Sequence, residues 1–200
     1  GLAFVFIPVS REELIPAVVE GRADVAAAGL TVTPERQEVV DFSPPTVNNV
    51  DEIVVTGPGA PAIATLDDLA GKEVFVRRSS SSYDSLNALN AQLAKSGKTP
   101  IVIKFAPEEL ETEDVLEMVN AGLAKITIVD NFLGEFWAQI FKGLTLHPTV
   151  ALTLDGEVAP AMRKNSPQLK AALNAFVKKH GQGTMTGNML LKRYLSNTRF

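Results

Sequence analysis

The sequence predicts an α/β fold of two lobes, one discontinuous, with residues 1–56 and 156–200 forming the first lobe and 57–155 the second. Two observations carry that expectation. The first is an internal half-repeat: Glu12–Ile15 through Gly21–Val25 to Gly29 can be laid over Glu113–Leu116 through Gly122–Ile126 to Asp130. Each half is a helix, a glycine stop and a buried strand. The second is Gly57-Pro58-Gly59-Ala60-Pro61, which breaks the chain after the apolar run Asp51–Thr56 and is the expected crossover between lobes. Open α/β sheets bind ligands beyond the carboxyl ends of their strands, so two such lobes face to face would enclose one between Gly29 and Asp130. Helix, glycine and strand follow one another in many folds, which leaves a chance likeness open.

At 200 residues the chain can bury a core without staples, and the absence of cysteine removes both disulfides and thiolate metal sites. A net charge of −4 without a basic run argues against nucleic acid or an anionic membrane surface as the main partner. No apolar run approaches the ~20 residues needed to span a bilayer, and no signal-peptide pattern opens the chain. A small molecule or a protein remains as partner.

In order, Gly1–Val9 is expected to be a strand already inside a domain, which implies that lobe 1 lacks part of its fold and leaves a strand edge exposed or partnered from elsewhere. Ser10 is the expected cap of a helix over Arg11–Glu20, with Leu14, Val18 and Val19 on its apolar face and Gly21 as its stop; Pro16 kinks it or marks a late start. Ala23–Leu30 is a buried strand. Asp51–Thr56 alternates as a further strand, and Thr65–Gly71 is a short capped helix before the strand Glu73–Arg77. The run Ser79-Ser80-Ser81-Ser82 stands between that strand and the helix Tyr83–Lys95, as a flexible linker or as an anion nest.

Ile101–Phe105 is the next strand. Pro107 opens an acidic helix whose Val115, Leu116 and Val119 face a core, while Glu108, Glu109, Glu111 and Glu113 make a solvated face and not a metal site. Ile126–Val129 is an apolar strand ending at Asp130. Asn131–Phe141 is a helix whose Trp137 packs in the core. His147-Pro148 falls in a loop, Val150–Leu154 and Val158–Met162 return as strands, and helices follow over Gln168–His180 and Asn188–Leu195.

The stretch Ala26–Pro45, AAAGLTVTPERQEVVDFSPP, organises the candidate chemistry. Thr33 is a natural N-cap with Pro34 at the first helical position. Arg36 then stands in the first turn, where a cation opposes the positive end of the helix dipole. Free amides, the hydroxyls of Thr31 and Thr33 and a guanidinium converge there as a carboxylate requires. The alternative is that Arg36 pairs with Glu35 or Asp41 on the surface.

Gly29-Leu30-Thr31-Val32-Thr33-Pro34-Glu35-Arg36 with Val40-Asp41-Phe42-Ser43-Pro44-Pro45 resembles the signature of family 3 extracellular solute-binding proteins, which have the two-lobed type II periplasmic binding fold. The resemblance implies that Gly29, Thr31 and Arg36 hold a ligand α-carboxylate. It places Arg77 and Ser80 as a second carboxylate contact, although Ser79 stands where glycine is usual. Asp130 falls where the family has the acidic partner of the ligand's α-amino group; by position alone it is a helix N-cap. Lys125, where the family often has Asp, is expected to be exposed and of little consequence. The extra first strand and helix of the family find no counterpart here.

The tail, Arg163–Pro167, Leu173–Phe176, Gly183–Asn188 and Leu190–Tyr194, resembles the solute-binding module of membrane-bound lytic transglycosylase F-like proteins, where a separate catalytic domain follows. The resemblance implies a periplasmic module, allows an outer-membrane tether in a full-length protein, and makes a fused transglycosylase domain or an ABC transporter the expected partner. Its ligand would be an amino acid or a small peptide, peptidoglycan-derived peptides included. No catalytic residue, cofactor or metal site is expected: no nucleophile, zinc or phosphate-loop motif is present, and His147 and His180 read as surface residues. The alternatives are a small-molecule lyase or dehydratase on the same fold, and the sensor domain of a signalling protein.

Overall fold

A computed structural model describes residues 4–195. Two sheets divide the molecule. The smaller has the order β1-β8-β2, with β1 at Val25–Ala26, β2 at Val40–Phe42 and β8 at Ala161–Arg163, all antiparallel. The larger has the order β5-β4-β6-β3-β7. Its parallel strands β4 (Glu73–Val76), β5 (Val102–Phe105) and β6 (Ile126–Asp130) are joined to the antiparallel pair β3 (Val47–Thr56) and β7 (Thr145–Val158).

Each sheet has its own core. Against the smaller sheet lies α1 (Leu14–Val19), and Val18 packs with Ala26, Leu30, Val40 and Ala161. Arg11–Glu13 is a tighter 3₁₀ turn, so the helix proper begins at Leu14 and Pro16 sits in its first turn, where its missing N–H leaves no bond unmade. Ser10 makes no side-chain cap, and Val19, expected on the buried face, is 46% exposed. The larger sheet is covered on both faces, as parallel strands require. Alternation along β3 sends Val54 to a core with Leu86, Leu89 and Leu93 of α3 (Ser81–Lys95), and Ile53 and Val55 to a second core with Leu116 of α4 (Thr112–Asn120) and Val129. Trp137, at the end of α5 (Asn131–Trp137), packs against that second core and stacks on Phe141 at 5.3 Å, as expected.

The half-repeat is structural. Gly21 and Gly122 both adopt left-handed φ, +77° and +75°, after helices whose last buried residues are Val18 and Val119. Each glycine N–H bonds that valine's carbonyl, and the backbone then enters β1 or β6.

Several expectations change. Phe4–Val9 forms no strand, and Phe4, Val5 and Phe6 are exposed; Gly1–Ala3 lie outside the described residues. The strand expected over Ala23–Leu30 shortens to Val25–Ala26, because the rest of that segment turns through Gly29 at φ +64°. Asp51–Thr56, expected with the first lobe, pairs inside the larger sheet on both sides, so the Gly57–Pro61 break turns the chain at that sheet's far end. The two sheets are joined instead by the β3/β7 ribbon, whose register shifts between Asn48 and Val54 and whose Asn49 and Asp155 take positive φ. Val158, at its end, also bridges to Thr31. His147-Pro148 lies within β7 and not in a loop; β7 is an edge strand, where proline costs no ladder bond. His147 is half-buried, with Nε2 2.9 Å from the Thr56 hydroxyl. The last two helices, α6 (Pro167–His180) and α7 (Met185–Leu195), follow the expected order, the second beginning three residues early.

Candidate functional site: the cleft between the sheets

A cleft of about 340 Å³ opens between the lobes. On the smaller-sheet side it is bounded by Ala28–Thr31 and by Arg36 of α2 (Pro34–Val39); on the other by the end of β6 and the serine run opening α3. Gly29, Thr31, Arg36, Arg77, Ser80 and Asp130 all line it. The local chain explains the first three. Thr33 caps α2 by accepting the Arg36 N–H at 3.3 Å, Pro34 occupies the first turn, and the left-handed Gly29 has open space where a Cβ would be.

Arg36 does not pair with Glu35 or Asp41. Its Nη1 donates to the Thr31 carbonyl at 2.7 Å and its Nη2 to the Ser79 carbonyl at 3.0 Å, so one guanidinium spans the two lobes. Burial lowers its pKa from the usual arginine value, opposed by the charges of Asp84, Glu52, Asp130 and Glu35. It stays a cation at any working pH.

Arg77 and Ser80 line the cleft with their hydrogen bonds turned inward. Arg77 Nη1 donates to the Leu110 carbonyl at 2.6 Å and lies 3.5 Å from Glu111, and the Ser80 hydroxyl donates to the Arg77 carbonyl at 2.8 Å. In the ligand-free structure these bonds are internal to the loop and the neighbouring acidic segment. The serine run is neither linker nor open nest, since Ser81 and Ser82 are the first turn of α3 and the Ser79 amide and hydroxyl both donate to Glu108. Pro107 does not open the acidic helix, which begins at Thr112, so Glu108, Glu109 and Glu111 lie in the segment before it, and that acidic segment is only partly solvated. Glu108 holds this loop, and Glu111 reaches across the cleft to Arg11, two residues whose part in the site depends on long-range contact and has no local signal.

Asp130 occupies the N-cap position of α5, as its place in the sequence predicts, but its side chain does not act as a cap. Its carboxylate makes no cap bond, and Asn131 Oδ1 accepts the Phe132 amide instead. Burial and then the charge of Glu52 push its pKa up to about 7, against the opposing pull of Arg36. Glu52 is a further residue the strand pattern hides: a carboxylate in the apolar run DEIVVT, 1% exposed, directly opposite Asp130 in the β3/β6 register. Lys125 is exposed, as expected, and its Nζ donates to the Pro58 carbonyl at 2.8 Å. Among the described residues, no three His, Asp or Glu are grouped as a metal site needs, and no helix is long and apolar enough to cross a membrane.

Known proteins share this fold. The family described as bacterial extracellular solute-binding proteins, family 3, matches residues 1–196. Membrane-bound lytic murein transglycosylase F of Shewanella halifaxensis is 32% identical over 171 residues, 82% of this chain and 33% of that protein. The chain thus spans about a third or less of the curated relatives it matches. Among solved structures, the substrate-binding protein of an amino acid ABC transporter superposes with a TM-score of 0.77 at 21% identity, covering 94% of this chain and 78% of that one. An ancestral arginine-binding protein bound to arginine gives 0.75 at 25%, covering 95% and 79%. The fold is the two-lobed type II periplasmic binding fold.

Proposed function

The chain belongs to the family 3 bacterial extracellular solute-binding proteins, and from that premise we propose that it is a non-catalytic, periplasmic module that closes its lobes over an amino acid or a short peptide. The observation that supports this most is the pairing of opposite charges in one cleft: Arg36 on the smaller-sheet lobe and the unpartnered Asp130 at the end of β6. A ligand carboxylate would exchange two neutral carbonyls at Arg36 for a charge-assisted fork, and an ammonium would give Asp130 the partner it lacks. At about 340 Å³ the cleft lies at the small end of ligand sites, which suits a single amino acid or a dipeptide better than a glycan chain. Gly29 and Thr31 complete the carboxylate end; Arg77 and Ser80 act one step back, by shaping the loop that carries Ser79.

The lobes of such a module move about the β3/β7 ribbon. Residues 4–46 and 159–195 then make one lobe and the body of 51–154 the other, a division that follows the strand pairing and not the glycine-proline break. Likeness to transglycosylase F proteins favours regulation of a fused cell-wall enzyme by a peptidoglycan-derived peptide over transport.

A thermal-shift screen of free amino acids and muropeptides tests the proposal. A ligand present at a hundred times its Kd adds about 2.7 kcal/mol, which raises the melting temperature by roughly 5–10 °C for a chain of this size. No shift with any compound, or a shift that persists in Arg36→Ala, refutes it.

A further inference from the structure

The acidic wall beside Asp130 is built more elaborately than an ammonium contact needs. Glu52 and Asp130 are directly opposed in antiparallel strands, so both side chains leave the same face of the sheet with Cβ atoms roughly 5 Å apart. Like charges so placed destabilise a strand pair, and more so under burial. Glu52 is nonetheless held as an acceptor. Ser85 and Thr153 donate hydroxyls to its Oε2 at 2.5 and 3.1 Å, and Ser82 approaches Oε1 at 3.5 Å. Each of those partners is a hydroxyl able to donate to a carboxylate oxygen. Arg36 does not neutralise the pair by contact, because both of its hydrogen bonds end on carbonyls.

We propose that Glu52 is a specificity-setting residue of the cleft: a buried carboxylate that keeps the wall beside Asp130 negative, so that the site admits a ligand amine as its ammonium and rejects a neutral or anionic group in that place. The inference rests on the amino-acid function proposed above and assigns the discrimination to a residue that is not part of the lining of that cleft. Glu52 acts through Asp130 and is a positioning residue. Without ligand, the pair relieves its repulsion by holding a proton on Asp130; an arriving ammonium displaces that proton to solvent and becomes the counter-charge. Asp130 is faced by Glu52 from β3 and by Arg36 from α2, while Asp84 of α3 and Glu35 of α2 face Arg36 in turn.

The test needs no ligand for its first arm. Carboxyl carbon NMR of Asp130 across pH 4–9 is followed in the wild type, in Glu52→Gln, which keeps shape and acceptor, and in Ser85→Ala, which removes a tie but keeps the charge. The Asp130 midpoint is expected to fall by on the order of one pH unit in Glu52→Gln and to stay in place in Ser85→Ala. Glu52→Met replaces the glutamine variant if that does not fold. An unmoved midpoint, or an equal move in Ser85→Ala, overturns the proposal and leaves Glu52 a structural anchor. The second arm compares L-glutamine, whose side chain is neutral, with glutaramate, the same molecule without the α-amine. Wild type should prefer glutamine, and Glu52→Gln should narrow that preference several-fold; an unchanged preference also overturns the proposal. A midpoint that moves in a protein that binds no amino acid or muropeptide counts against the proposed function and not against the electrostatic role of Glu52.

Discussion

Arg11 and Glu111, one hundred residues apart in the chain, close the mouth of the cleft with a fork: Arg11 Nε lies 2.9 Å and Nη2 2.5 Å from Glu111 Oε2. The same guanidinium donates to the Ala28 carbonyl, next to Gly29. Together with the Arg36 bond to Ser79, this pair ties the lobes across the cleft.

Arg11→Ala should therefore loosen closure more than it unfolds the protein. The pair is half-exposed, so its loss is worth only about 0.2–1 kcal/mol. Arg11, through its hydrogen bond, holds the Glu111 carboxyl below its ordinary value against the opposing effect of burial. A depressed carboxyl pKa stabilises the fold above the unfolded value, near 4.5, and the contribution is lost as pH falls through the folded value. The gap in urea midpoint between wild type and Arg11→Ala should close below that pH, while small-angle scattering at neutral pH should show a larger radius for the variant.

Arg36→Ala should abolish ligand-induced thermal shifts and leave the ligand-free protein within about 1 kcal/mol of wild type. The two carbonyls it frees face a cleft that water can enter, so their hydrogen bonds are replaced. Denaturant unfolding beside a binding titration separates the two effects; a large loss of stability would make the residue structural.

Asp130→Asn should flatten the stability profile. A carboxyl raised from 3.8 to about 7 means the folded state binds more protons than the unfolded one between those values, so stability falls as pH rises through that window. The cost above pH 7 is on the order of a few kcal/mol in the empty protein. Asparagine cannot ionise, so the variant should be more stable than wild type at pH 8 and nearly equal at pH 4. A parallel pair of urea profiles would disprove the assignment.

Two glycines should respond differently to alanine. At Gly57 a Cβ would meet the Val119 carbonyl oxygen at 2.0 Å, a backbone atom that cannot swing away, and Gly57→Ala should cost about 3 kcal/mol. At Gly29 nothing lies within 4 Å, so Gly29→Ala should cost only the roughly 1–2 kcal/mol of a left-handed backbone while its methyl intrudes on the carboxylate end of the cleft. Unfolding free energies of the two variants, and ligand affinity of the second, check the contrast.

Local sequence by itself determined most of the helices, the half-repeat and the cap at Thr33. Each of these is decided by side-chain periodicity or by backbone restriction over a few residues: glycine at positive φ, proline in a first turn, apolar spacing on one face. Resemblance in the stretch around Gly29–Arg36 named the family and drew six residues that do line one cleft. What only the tertiary structure decided is where their hydrogen bonds go. Arg77 and Ser80 bond to the Leu110 carbonyl, Glu111 and the Arg77 carbonyl, partners that the fold brings within reach of their side chains. Asp51–Thr56 belongs to the larger sheet because β6 and β7 flank it, neighbours that come seventy or more residues later in the sequence. Glu52 has the look of an exposed strand position until register sets it against Asp130 beneath α3. Strand partners and buried charge are long-range quantities: the same side chain is solvated or desolvated according to which distant segment packs on it, and a one-dimensional pattern holds no record of that choice.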